Sequence, residues 1–410
     1  MSHIAIIGAG QAGAAMAAKL RALGFDGRLT LIGEESAPPY QRPPLSKKYM
    51  SGDMALERLY LRPESFYADQ GIDLRTGTRV AALEAAEKKI VLESGEVLEC
   101  DRIALCTGAA PIHLPAAVGG DLAGVYVMRS LADADAMAGE FVEGRRVLIV
   151  GGGYIGLEAA AVAASKGLSV TLVEMAPRIL ARVASAETAS YFRNLHTGHG
   201  VDLREGVGLS ALQGDGGRVT RASLSDGAEL DVDFVIAGIG VRPCTALAEQ
   251  AGIVIENGIR VDEFGETSVK GIYAAGDCTS FPWQGCRIRL ESVPNAIDQS
   301  EAAAAAILGQ GAPYVAKPWF WSDQYDVKLQ IAGLNTGFDR VVTRPGDKPA
   351  AQSHWYFAGA RLLAVDAMND PRAYMIGKRL IEAGQSPLQG PLADPATPLK
   401  TLPLTEPKAA

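Results

Sequence analysis

Residues 4–13 read Ile4-Ala5-Ile6-Ile7-Gly8-Ala9-Gly10-Gln11-Ala12-Gly13. An apolar, β-branched run leads into three glycines at GxGxxG spacing, and an Ala-rich stretch follows to about Leu23, stopped by Gly24. Leu29-Thr30-Leu31-Ile32 then makes a second apolar run, and Glu34 follows 21 residues after Gly13. This is the pattern of a strand, a tight turn, a helix and a second strand ending near an acid. Gly8 suits the turn, Gly10 lets backbone approach a pyrophosphate, and Gly13 lets the helix press on the sheet. The helix N-terminus attracts phosphate, and Glu34 is placed to accept ribose hydroxyls.

About 140 residues later the pattern returns: Val147-Leu148-Ile149-Val150, then Gly151-Gly152-Gly153-Tyr154-Ile155-Gly156, then Val170-Thr171-Leu172-Val173 and Glu174. Ala17 with Gly24, and Ala160 with Gly167, stand at matching close-packing positions. Two complete fingerprints imply two dinucleotides, most economically a hydride carrier and a bound flavin. Glu174 suits a free ribose 2′-hydroxyl and repels a 2′-phosphate, which favours NAD(H) over NADP(H), with Arg178 and Arg182 downstream as the counter-argument.

Between the fingerprints, Pro38 to Lys47 is a proline-stiffened loop carrying Arg42 and Lys47. Ile72 to Cys100 alternates like short antiparallel strands. Arg102 to Gly108 reads as a buried strand ending in Thr107-Gly108; Phe234 to Pro243 repeats that shape, and Ile272 to Cys278 closes another strand on Gly276-Asp277. Trp319 to Gln324 opens a third module, with three strands expected, over 327–334, over 340–343 and over 354–357 continuing through 361–366, and a helix over 371–382. The last 25 residues hold six prolines and read as an extended tail.

The fold class expected is therefore α/β: two Rossmann-like dinucleotide-binding domains, for FAD and NAD, plus a C-terminal α+β domain. The expected domains are 1–113 and 245–318 as a split FAD-binding domain, 114–244 as an inserted NAD-binding domain, 319–385 as the C-terminal domain and 386–410 as the tail. The 410 residues carry a net charge of −8 and are 48% hydrophobic. That supports sizeable cores and argues against a nucleic-acid or membrane partner. No apolar run is long enough to span a bilayer, and the N-terminus reads straight into a strand rather than a signal peptide. Cys100, Cys106, Cys244, Cys278 and Cys286 are scattered and odd in number. No metal site is expected, and a reducing cytoplasm fits best.

Taken together, GAGQAG (8–13), RPPLSK (42–47), GGGYIGLE (151–158), AGIGVRP (237–243), AAGDC (274–278), ESVPNA (291–296) and PWFWSDQY (318–325) resemble the oxygenase-coupled NADH–ferredoxin reductases of the glutathione-reductase-like flavoprotein superfamily. Apoptosis-inducing factor is a more distant relation. The likeness runs from residue 1 to about 380. It implies FAD contacts at Ala12, Glu34, Lys47, Val80, Arg129, Asp277 and Val293, with Arg42 and Trp321 beside them. It implies an NADH site at Tyr154, Ile155, Glu158, Glu174 and Gly240, and assigns Lys47 and Glu158 to catalysis as an ion pair across the domain boundary. Glu301 stands where some relatives carry a basic residue for docking their ferredoxin. The disulfide branch of the superfamily is excluded, because no Cys lies between Met1 and Cys100. The resemblance implies electron transfer from NADH through FAD to a 2Fe–2S ferredoxin serving a cytochrome P450. The reductase of a Rieske-type ring-hydroxylating dioxygenase and a redox-sensing flavoprotein are the alternatives.

Overall fold

The computed structural model describes residues 2–405. The chain forms two compact units. The first draws on the segment up to Arg42, on Ala55–Ala110 and on Val241–Pro318; the second draws on Pro43–Met54, Pro111–Gly240 and the chain from Trp319 onward.

In the first unit a five-stranded parallel sheet is ordered Ile272–Ala274, Arg102–Leu105, His3–Ile7, Arg28–Ile32, Ile72–Arg75. Its three inner strands are buried along most of their length, which is why they read as apolar runs. Ile4, Ile6, Leu29 and Leu31 face one core with helices Gln11–Ala22 and Val293–Ile307, while Ala5, Ile7 and Leu105 face another. Each of these isoleucines and leucines is at most 6% exposed, and burying one such side chain contributes about 1.5–3 kcal/mol. One expectation is corrected here. Ile72–Arg75 is a parallel edge strand reached through the short helix Glu64–Asp69, not part of the antiparallel set, which is confined to Val80–Glu84, Lys89–Leu92 and Val97–Glu99.

The second unit repeats the plan: a parallel sheet ordered Asp202–Glu205, Ser169–Glu174, Arg146–Val150, Phe234–Ala237, Val125–Val127. It also carries an antiparallel five-stranded sheet ordered Trp319–Gln324, Val327–Gly333, Arg361–Met368, Gln352–Ala358, Arg340–Pro345. Helix Pro371–Glu382 closes that sheet over Trp355, Phe357 and Val365. The proline-rich segment is no free tail: Leu392, Leu399 and Leu402 enter this same core. Arg344, 6% exposed, ties the segment down by donating to the carbonyls of Leu392, Asp394, Pro395 and Thr397. Prolines donate no backbone hydrogen bond, so a buried guanidinium with several donors supplies what the segment lacks. Residues 406–410 of the expected tail lie outside the described residues. Among the described residues, no helix is long and apolar enough to cross a membrane.

Candidate functional site

Each parallel sheet ends in the same turn. A Cβ at Gly8, where φ is +112°, would sit 2.1 Å from the Cys106 carbonyl oxygen, and one at Gly13 would sit 1.9 Å from that of Gly8. At Gly151 (φ +110°) and Gly156 the corresponding distances are 2.5 Å to Gly238 O and 2.1 Å to Gly151 O. These four positions admit only glycine. Gly10 and Gly153 differ: a Cβ on either meets nothing within 4 Å. Both cap their helix without a side-chain hydrogen bond, and neither first turn holds an acid. Among the described residues, the four other helices of eight or more residues are capped by Ser130, Ser185, Ser292 and Asp370. Two helix N-termini thus keep their amides and positive dipole ends uncompensated beside open space, an arrangement that fits one pyrophosphate each.

Ala12, Thr107 and Gly276 come together at the first turn. Ala12 lies in the first turn of Gln11–Ala22 and packs close to Gly276, which brings Asp277 beside the glycine loop. Thr107 Oγ1 donates to the Cys244 carbonyl at 2.7 Å, and the Cys244 amide donates to Gly108 O at 2.9 Å, pinning the Thr107-Gly108 strand end. Glu34 is exposed and faces Arg79 Nη1 at 3.4 Å. Arg42 is held by Glu35 and by the Tyr40 hydroxyl. Val80 opens an antiparallel strand and Val293 opens the helix Val293–Ile307. These residues fit the flavin nucleotide, with a carboxylate near the ribose position and glycine amides at the phosphates.

Around the second turn, Glu174 accepts from the Gly152 and Ala176 amides at 2.7 and 2.8 Å. Arg178 is turned away, its guanidinium spent on the carbonyls of Ile179, Ala181, Ala184 and Ser185. Arg182 stays near Gly240, whose φ is +118°. Tyr154 packs on Phe320, and Ile155 is 38% exposed at the helix start. The carboxylate, the open turn and the withdrawn Arg178 fit a nicotinamide dinucleotide without a 2′-phosphate.

Lys47 belongs to the second unit, so its pairing with Glu158 lies within one unit and not across a boundary as expected. Its Nζ is 3.1 Å from Glu158 Oε1 and 3.4 Å from Asp323. The Ser46 and Ser322 hydroxyls donate to the same carboxylate at 2.8 and 2.6 Å. Glu158 stands inside Tyr154–Ser165, as its fifth residue and past the first turn. Burial pushes its carboxyl above the ordinary range, while Lys47 and the two hydroxyls pull it back. Lys47 also lies 5.9 Å over the Trp321 ring. A buried ionic group of this kind persists only with all its partners in place. Arg42 and Lys47, neighbours in sequence, are therefore held by different carboxylates in different units. Arg129 precedes the Ser130 cap in the second unit. Sequence reading missed Ser46, Ser322 and Asp323 as partners. All three sat inside quoted motifs, but nothing in spacing says that a serine at 46 and one at 322 share an acceptor.

All five cysteines are free, and burial pushes the Cys106 and Cys278 thiols up, away from the thiolate chemistry of a redox disulfide. Among the described residues no group of His, Cys, Asp and Glu could hold a metal ion.

Residues 2–300 match the pyridine nucleotide-disulphide oxidoreductase family, and residues 319–403 match a reductase C-terminal domain. The chain belongs to this family. It is an oxidoreductase, and the family's cofactors are FAD and a pyridine nucleotide. The chain is 42% identical to the 5,5′-dehydrodivanillate O-demethylase ferredoxin reductase subunit of Sphingobium sp., over 97% of each chain. It is also similar to the putidaredoxin reductase solved in covalent complex with putidaredoxin, with TM-score 0.94 and 38% identity over 97% of each chain. The solved ferredoxin reductase for the CYP199A2 system of Rhodopseudomonas palustris gives TM-score 0.93 and 38% identity, over 98% of this chain and 99% of that one.

Proposed function

We propose that this protein is a cytoplasmic NADH–ferredoxin reductase, passing electrons from NADH through FAD to a 2Fe–2S ferredoxin that serves a cytochrome P450. The observation that carries the reading is the pair of uncapped helix N-termini, each beside a glycine with open space above it. A bound FAD would supply a hydride acceptor for NADH and one-electron release toward a single-electron carrier.

The protein's own part is holding and orienting. Amides of the Gly8–Gly13 loop bind the flavin's pyrophosphate, Glu34 its ribose and Asp277 its ribitol. Those of Gly151–Gly156 bind the nicotinamide dinucleotide, with Glu174 on the adenosine ribose. Lys47 and Glu158 are the catalytic pair: each fixes the other, and together they orient the reacting rings, which no acid or base has to assist. Trp321 covers an aromatic face beside Lys47.

The relative solved with putidaredoxin and the reductase named for the CYP199A2 system support the P450 route. Relatives named as reductase components of p-cumate and anthranilate dioxygenase systems support a second reading, in which the ferredoxin serves a ring-hydroxylating dioxygenase.

The test is anaerobic turnover of the purified yellow protein, with about one FAD released per chain on denaturation. NADH should bleach the flavin rapidly and NADPH far more slowly, and an added 2Fe–2S ferredoxin should then be reduced. Release of FMN, or a reduced flavin that never discharges to ferredoxin, would overturn the proposal.

A further inference from the structure

The cluster around Glu158 continues into a chain of side chains. Ser322 donates to Glu158 Oε1 at 2.6 Å, and Gln324 Nε2 donates to Ser322 Oγ at 3.2 Å. Gln324 Oε1 is 2.8 Å from His196 Nε2, and the Tyr325 hydroxyl is 3.3 Å from His196 Nδ1. Ser322, Gln324 and His196 are all fully buried.

Donor and acceptor chemistry fixes every direction. An ionised Glu158 only accepts, so the single Ser322 proton goes to it and the Gln324 amide NH₂ fills the Ser322 acceptor site. That turns the Gln324 carbonyl toward His196, which must carry its proton on Nε2. Nδ1 is then an acceptor and takes the Tyr325 proton. Each donor in the series points toward Glu158. Burial pushes the His196 imidazole down to about 4, so it stays neutral and keeps one donor and one acceptor.

The outer end is built at a cost. Gln324 pairs with Val327, which leaves Tyr325 and Asp326 as a two-residue hairpin loop. Tyr325 takes φ +54° there, a position usually given to Gly, Asn or Asp and strained for a bulky residue. Its ring stacks on His199, with centroids 3.7 Å apart and planes 12° from parallel. The strained backbone delivers a phenol to the imidazole.

We infer that Gln324 and His196 are positioning residues for the Lys47–Glu158 pair, their one-directional hydrogen bonds holding the Ser322 hydroxyl as a fixed donor to Glu158. The inference rests on the reading that this pair serves hydride transfer. The groups facing Glu158 are Lys47, Ser46 and Ser322; those facing His196 are Gln324, Tyr325 and His199.

The first test needs no turnover. Ring ¹⁵N spectra of the histidine-labelled holoenzyme should show His196 as the Nε2–H tautomer, unprotonated down to pH 5. An Nδ1–H tautomer, or titration near the ordinary histidine value, would overturn the inference. The second test is stopped-flow reduction by NADH. Gln324→Met and His196→Phe should slow the limiting rate about tenfold, because the Ser322 hydroxyl is then no longer held toward the Glu158 carboxylate. NADH binding should stay unchanged. The pH midpoint of the rate should move upward as Glu158 loses a donor. His196→Gln keeps a donor at the Nε2 position and should restore the rate. If Glu158→Gln is slow while Gln324→Met runs at the wild-type rate, the positioning role fails alone. If Glu158→Gln and Lys47→Met both run at the wild-type rate, the underlying reading fails instead.

Discussion

Under the proposed function, Glu174 would let one carboxylate serve both fold and selectivity. Its two oxygens already take the Gly152 and Ala176 amides, which fixes its direction without exhausting its lone pairs. A ribose diol can still donate to it, whereas a phosphate meets an immobile negative charge. Glu174→Arg should lower kcat/KM for NADH about 10–100-fold, the value of hydrogen bonds to a charged acceptor. The same change should raise kcat/KM for NADPH, and steady-state kinetics with both cofactors checks it. A variant that kept its preference for NADH would place the selectivity elsewhere. The strand-end position of Glu174 was legible from spacing alone, because the apolar run and the glycine turn before it are local signals. The withdrawal of Arg178 was not. It depends on four carbonyls presented by the turns at 179–185, and backbone carbonyls leave no trace in composition.

Among the elements, the least expected is the segment after Gln385. Its prolines argue for an extended tail, but proline content says nothing of donors that another element can bring. Arg344, on an antiparallel edge strand, supplies donors from outside. Arg344→Ala should leave four carbonyls without that partner and release Leu392, Leu399 and Leu402 from the core. A loss of about 3 kcal/mol is expected, from an unmet buried network and lost packing. Limited proteolysis should then cut between 386 and 405 in the variant and spare the wild type. An equally resistant variant would mean that apolar packing alone holds the segment. The turn containing Lys47 was misassigned for a related reason. The chain enters the second unit for Pro43–Met54 only, too short an excursion to show any shift in composition.

For the whole molecule, acid stability sums groups of opposite sign. Burial pushes His196 and His354 down from 6.5 to about 4. Both are neutral in the fold but charged in the unfolded chain below pH 6.5, so each loses stability as pH falls from 6.5 to 4. Asp366 is held up at about 6 from 3.8; the fold retains a proton that the unfolded chain releases, so its contribution fades as pH rises from 3.8 to 6. His196→Gln should therefore reduce the stability lost between pH 8 and pH 5 by about 2 kcal/mol. Asp366→Asn should do the opposite, helping the fold above pH 6 and losing that advantage below pH 4. Urea unfolding midpoints at pH 8 and 5 measure both, and a parallel shift of the two variants would refute the assignment. The paired Rossmann sheets were legible from a few residues each because glycine positions and apolar runs are local. The titration balance depends on which side chains share a buried space, and that is set by the finished fold.

The first parallel sheet also has a consequence for synthesis on the ribosome. Its edge strand Ile272–Ala274 and the adjoining Asp277 are made after the entire second parallel sheet, which is complete at Phe234–Ala237. At about 5–20 residues per second, the strand Arg102–Leu105 waits several seconds with one edge unpaired while the later sheet can already close. The nascent chain therefore holds every strand of the second sheet before it holds every strand of the first. Any chaperone or free flavin that guards the exposed Arg102–Leu105 edge would act in that interval, and a slow translation site between 240 and 272 would lengthen it.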